Sequence, residues 1–226
     1  FIFSGDPWEA TLYYAQVEKA NENNPTGHEA KFRKAKLAYY TGEFKWAQAQ
    51  LDVLKASTSK LIANDAFELA SLINDNTALD TTEAPLRLFS RADLLLYRNQ
   101  DSLAVLTLDS IGILYPKHSL ADEILYRKAN ICMKHQDYEQ AAVYYREVIE
   151  GYSYDILADN SLFRLAGLYE TKLDDMEKAK ELYQRLITEF PGSIYVVDAR
   201  KRFRILRGDK LKPASTEENF FRGISP

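Results

Sequence analysis

A small residue recurs along this chain at a period near 37, and no other feature limits its fold so tightly. One series, Ala10, Ala47, Ala104, Ala141 and Ala179, has spacings of 37, 57, 37 and 38 residues. A second series, Ala35, Ala92, Ala129 and Ala166, is spaced 57, 37 and 37. An aromatic stands three residues before each member of the second series: Phe32, Phe89, Tyr126 and Phe163. Twelve residues after the complete copies of the first series come Ser59, Pro116, Ser153 and Pro191. The cleanest copy is EILYRKANICMKHQ followed by DYEQAAVYYREVIEGY, residues 123–152. A fixed period of this length marks a stack of supersecondary units. The spacing of apolar residues by three and four inside each copy makes the unit a pair of helices.

Two antiparallel helices approach closely only where their side chains are small, which explains an alanine at each crossing. Larger residues such as Tyr145, Val148 and Ile149 fill the space between neighbouring pairs. The Pro or Ser after each second helix halts it. A single pair cannot bury both of its faces, so stacking is obligatory. The expected fold is therefore all-α, a right-handed α-solenoid of antiparallel helix pairs with about eleven helices and no sheet. Only nine Gly and seven Pro in 226 residues fit long regular elements.

In chain order, Asp6-Pro7-Trp8-Glu9 is a helix start, with an N-cap, Pro at the first helical position and an acid at the third. Residues 6–24 carry second-helix anchors and read as a lone second helix of a truncated repeat, which implies a C-terminal portion of a larger protein. Thr26-Gly27-His28-Glu29 is a capping box opening a repeat over 28–57. The 57-residue spacing exceeds 37 by about one helix and a turn, so residues 60–75 form an inserted helix. The polar loop NTALDTTEAP follows. A domain boundary at 76–84 is one reading; continuous stacking is favoured, because the repeat resumes at once. Repeats then span 84–116, 118–153 and 155–191, and a capping helix spans 193–207. The solenoid thus covers 1–207, and residues 208–226 form an extended or disordered tail.

The segments FRKAKLAYYTGEFKWAQAQL, YRKANICMKHQDYEQAAVYYREVIEGY and FRLAGLYETKLDDMEKAKELYQRLITEFPGS resemble tetratricopeptide repeats. They are most similar to the slightly long repeats of bacterial envelope proteins in the Tol–Pal and outer-membrane β-barrel assembly systems. The resemblance covers 6–207 except 60–84. It implies a scaffold for protein complexes that binds a protein or peptide, usually in a concave groove lined by first helices. It also favours a periplasmic or outer-membrane-associated setting. A shared scaffold does not fix the partner. The family's best-known groove holds a C-terminal carboxylate with a Lys/Asn clamp. Here the first Lys position holds Phe32, Phe89, Tyr126 and Phe163, and the Asn position holds Lys36, Asp93, Asn130 and Gly167. Only Asn130 matches, so carboxylate-tail binding is disfavoured.

The candidate groove comprises Phe32, Tyr39, Tyr40, Phe89, Asp93, Leu96, Tyr97, Tyr126, Asn130, Met133, Lys134 and Phe163. Within it the ladder Phe32, Phe89, Tyr126, Phe163 either lines a peptide groove or packs between first helices, and packing is the favoured reading. The basic run Arg200, Lys201, Arg202, Arg204, Arg207, Lys210, Lys212 either meets an acidic partner or complements a helix C-terminus; the second is favoured. Phe220-Phe221 is either a docking motif or a segment folding back.

Catalytic signatures are absent from the sequence. His28, His118 and His135 are scattered, and His28-Glu29 lacks the second His of a helical zinc motif. Asp174-Asp175 sits in a turn without a sequence partner, and Cys132 lies within a helix as an inert thiol. No cofactor or metal is expected. A net charge of −4 argues against nucleic acid as a partner, including for a helical-repeat RNA binder. No apolar run reaches the ~20 residues of a membrane span. The leading expectation is a non-catalytic binding scaffold. The alternative is a structural spacer that self-associates through its ends.

Overall fold

The computed structural model describes residues 7–22, 24–55, 60–77, 82–116, 118–153 and 157–209. Among them are eleven α-helices and no strand, the all-α helix-pair class expected. The chain divides into two compact units, Phe1–Ala121 and Asp122–Pro226.

The first unit holds α1 (Pro7–Ala20), α2 (Pro25–Thr41), α3 (Phe44–Leu54), α4 (Lys60–Asp75), α5 (Ala84–Tyr97) and α6 (Asp101–Leu114). α2 begins earlier than the Thr26–Glu29 capping box predicts. Asn24 caps it by accepting from the Gly27 amide at 3.1 Å, and Pro25 presets the first helical φ. α1 lies against α2, where Glu18 forms ion pairs with Lys31 and Lys34. Gly27 makes the tight α1–α2 turn possible, because a Cβ there would stand 2.0 Å from the Asn21 carbonyl oxygen. Backbone cannot yield as a side-chain tip can. Gly27→Ala is therefore expected to cost about 1–3 kcal/mol of unfolding free energy, read by urea denaturation.

The inserted helix α4 buries Ile62, Ala66, Ala70 and Ile73 and packs on α3 and α2. Asp65 lies near Glu29 and Lys36 of α2; burial pushes its carboxyl above the usual range while Lys36 opposes the shift. α3 packs on α2, α4 packs on α3, and α5 returns to lie against α2. Arg87 of α5 lies 5.4 Å over the Phe44 ring, and Asp93 of α5 accepts a 3.0 Å hydrogen bond from Tyr39 within α2. At the end of α4, Asn76 is buried; its amide donates to the Leu72 carbonyl and its oxygen accepts from Ser119.

The second unit holds α7 (Ala121–Lys134), α8 (Tyr138–Gly151), α9 (Leu157–Thr171), α10 (Met176–Glu189) and α11 (Val196–Leu206). Its core gathers Tyr126, Ala129, Ala141, Tyr145, Val148, Leu165, Ala166, Ala179, Tyr183, Leu186, Val196 and Ala199. The alanines Ala129, Ala141, Ala166 and Ala179 have no exposed surface, as crossing points must. Asp137 and Asp175 cap α8 and α10 by accepting from the amides of Gln140 and Lys178.

The turn joining the helices of a pair has one conformation in both units. Gly42, Asn99, Gln136 and Asp174 all have positive φ, between 52° and 80°. Each stands five residues before a second-helix alanine, namely Ala47, Ala104, Ala141 and Ala179. A left-handed residue here ends the first helix and lets its last carbonyls be satisfied, as the Glu43 amide does with Ala38.

Candidate protein-interaction surface

In the first unit the sequence-predicted groove residues separate into three groups. Tyr39 and Phe89 are fully buried, so neither lines an open surface. Tyr39 spans the α2–α5 interface, with its ring beside Phe44 and its hydroxyl donating to Asp93. Phe32, Asp93 and Leu96 are half-buried. The remaining two come together: the Tyr40 and Tyr97 rings lie 6.1 Å apart at 44°, with the Lys36 ammonium 6.0 Å from the Tyr40 centroid. Tyr97 is 39% exposed. Two adjacent phenols on packed helices give a large contact surface that needs little further ordering.

In the second unit the aromatic positions serve packing. Tyr126 is buried and sets its ring 5.8 Å from Tyr145, and its hydroxyl donates to Asn160. Phe163 stacks on Tyr195 at 4.8 Å and 16°, and lies 6.0 Å from Tyr183. Three of the four ladder positions, Phe89, Tyr126 and Phe163, are thus engaged inside the fold. Asn130, the one residue in register with the carboxylate clamp, accepts a 2.7 Å hydrogen bond from Tyr145. Its carbonyl oxygen already has a partner within the pair. Met133 packs on the core, and Lys134 is exposed at the end of α7.

Electrostatics in this unit centre on phenols and first-helix acceptors. The Tyr183 hydroxyl donates to Glu170 at 2.8 Å, and Arg202 of α11 pairs with the same carboxylate at 3.2 Å. Burial, then Glu170, pushes the Tyr183 phenol well above its ordinary range; burial does the same to Tyr145. In the basic run, Arg207 and Arg204 pair with Asp209, whose carboxyl Arg207 holds below the usual range. Lys210, Lys212, Phe220 and Phe221 lie outside the described residues.

Cys132 is half-buried, and burial raises its thiol pKa, which disfavours the thiolate. Among the described residues no group of three or more His, Cys, Asp or Glu is placed to hold a metal. None of their helices is long and apolar enough to cross a membrane. Sequence reasoning missed one surface. Leu103, Leu106, Ile113 and Leu114 of α6 are exposed, and Leu103 and Leu106 border a shallow groove with Leu88, Arg91 and Leu95 of α5. The near-continuous apolar run LAVLTLDSIGIL was the available signal.

Two segments match family models described as tetratricopeptide repeat: residues 122–150 and residues 160–193. The first coincides with α7 and α8, the second with α9 and α10. Helix pairs α7–α8 and α9–α10 thus each match a tetratricopeptide repeat, and α11 follows them. Such repeats generally serve as scaffolds for protein–protein contacts. No curated protein matches the chain. Among solved structures, a tetratricopeptide repeat protein from Parabacteroides merdae is similar at 16% identity and a TM-score of 0.44, over 91% of this chain and 68% of that one.

Proposed function

We propose that this chain is a non-catalytic protein- or peptide-binding scaffold, part of a larger bacterial tetratricopeptide-repeat protein that assembles a complex at the cell envelope. The observation that carries the binding role is the Tyr40–Tyr97 pair, two phenols held 6.1 Å apart with the Tyr97 ring open to solvent. Support for the envelope setting is the resemblance in repeat length.

Replacing both residues, Tyr40→Ala with Tyr97→Ala, is expected to weaken a cognate partner by about tenfold or more, since aromatic anchors dominate interface energies. The measurement is quantitative affinity capture, followed by titration calorimetry with the captured protein, while circular dichroism confirms an unchanged helix content. Undiminished affinity in the double variant would reject this surface. Tight RNA retention on filters at low salt would reject the protein-scaffold reading itself.

A further inference from the structure

Two of the first helices hold, on one face, the helix that precedes them in the chain. In the second unit α8 seats on α9, where Leu162, Leu165 and Tyr169 are buried and Arg146 of α8 donates to the Tyr169 hydroxyl. In the first unit α1 seats on α2, where Lys31 and Lys34 pair with Glu18 of α1. Both seats use one register. Lys34 and Leu165 stand one residue before the first-helix alanines Ala35 and Ala166, and Lys31 and Leu162 stand four before.

In α5 that register is Leu88 and Arg91 before Ala92, with Leu95 one turn on in the place of Tyr169. The preceding helix α4 packs on α3 and α2, and these three residues line an open groove of about 330 Å³. Leu88 and Leu95 are half-buried. Arg91 is exposed, and among the described residues no carboxylate pairs with it. α6 widens the groove with Leu103 and Leu106, 52% and 65% exposed. In α10 the same positions, counted from the second-helix alanine, hold Lys178 and Glu181. The pair whose first helix is already covered thus carries charged residues where the pair with the open seat carries leucines. Contiguous apolar surface of this kind marks an interaction site.

We propose that the groove on α5 and α6 is the seat of an amphipathic helix from a partner protein, apolar along one face and carrying a carboxylate that meets Arg91. The form of the occupant follows from α1 on α2 and α8 on α9, since a helix fills the equivalent seat in both. Its charge follows from Lys34, which stands in the register of Arg91 and is met by Glu18 of the seated helix. The leucines supply the area of contact, and the ion pair fixes the register of the docked helix.

The test titrates the 226-residue chain into a fluorescent synthetic helix of about four turns, with leucines on one face and one glutamate among them. Saturable binding is expected, weakened about tenfold or more by Leu106→Asp and about fivefold or more by Arg91→Glu. A second peptide with lysine in place of the glutamate should recover affinity for the Arg91→Glu variant. Both side chains are exposed, so circular dichroism should show the helix content of each variant unchanged. Absence of saturable binding, or equal affinity in the parent and both variants, would overturn the proposal. So would a concentration-dependent dimer in sedimentation that Leu106→Asp abolishes, which would make a second copy the occupant.

Discussion

Replacing Tyr145 by alanine is expected to lower the unfolding free energy by about 3–5 kcal/mol, the cost of removing a large buried ring. The ring is fully buried among Ala129, Ala141 and Val148, and meets Tyr126 edge-on at 5.8 Å and 61°. Helix backbones at an alanine crossing cannot collapse into the space left behind, since the crossing already sets their separation. Tyr145→Phe separates the two contributions. It keeps the ring and removes only the 2.7 Å hydrogen bond to Asn130. Because Asn130 is half-buried rather than sealed, water can replace the phenol, and the expected loss is about 1 kcal/mol. Urea denaturation of the two variants measures both values. An alanine variant no less stable than the phenylalanine one would show that the ring is not packed as described.

The second unit is expected to lose stability steeply above the ordinary phenol pKa near 10. Burial raises both Tyr145 and Tyr183 in the folded chain, with Glu170 adding to the shift at Tyr183. The sign follows from proton linkage. Below pH 10 the phenols are protonated in both states and their full contribution is present. Above it the unfolded chain releases protons that the folded chain retains, so alkali favours unfolding. Each phenol contributes a slope of about 1.4 kcal/mol per pH unit until its folded pKa is reached. Denaturation series at several pH values from 9 to 11 should show this fall. Replacing both residues by phenylalanine should flatten it by about two protons' worth. An unchanged slope in that double variant would assign the alkaline loss to other groups.

The alanine series made the helix pairs legible, because a close crossing admits few residue types and the period survives in a single sequence. The helix ends were less legible. The Thr26–Glu29 capping box set the start of α2 too late, since Asn24 caps the helix and Pro25 begins it. The left-handed turn was invisible because Gly42, Asn99, Gln136 and Asp174 share a backbone conformation and no side-chain chemistry. The candidate surface was harder still. Tyr39 and Tyr40 differ by one step around a helix, and that step separates a buried cross-helix hydrogen bond from a surface ring. Asn130 matched a clamp position in register, but its acceptor is taken by Tyr145, fifteen residues away in sequence. Spacing names the face of a helix; it does not say which long side chain from the next helix arrives first.

The inserted helix α4 has an evolutionary consequence. The insertion moves the later repeats 20 residues along the chain (57 less 37) and leaves the alanine register within them intact. Length is thus absorbed between helix pairs, where it does not displace the small residues on which each later crossing depends.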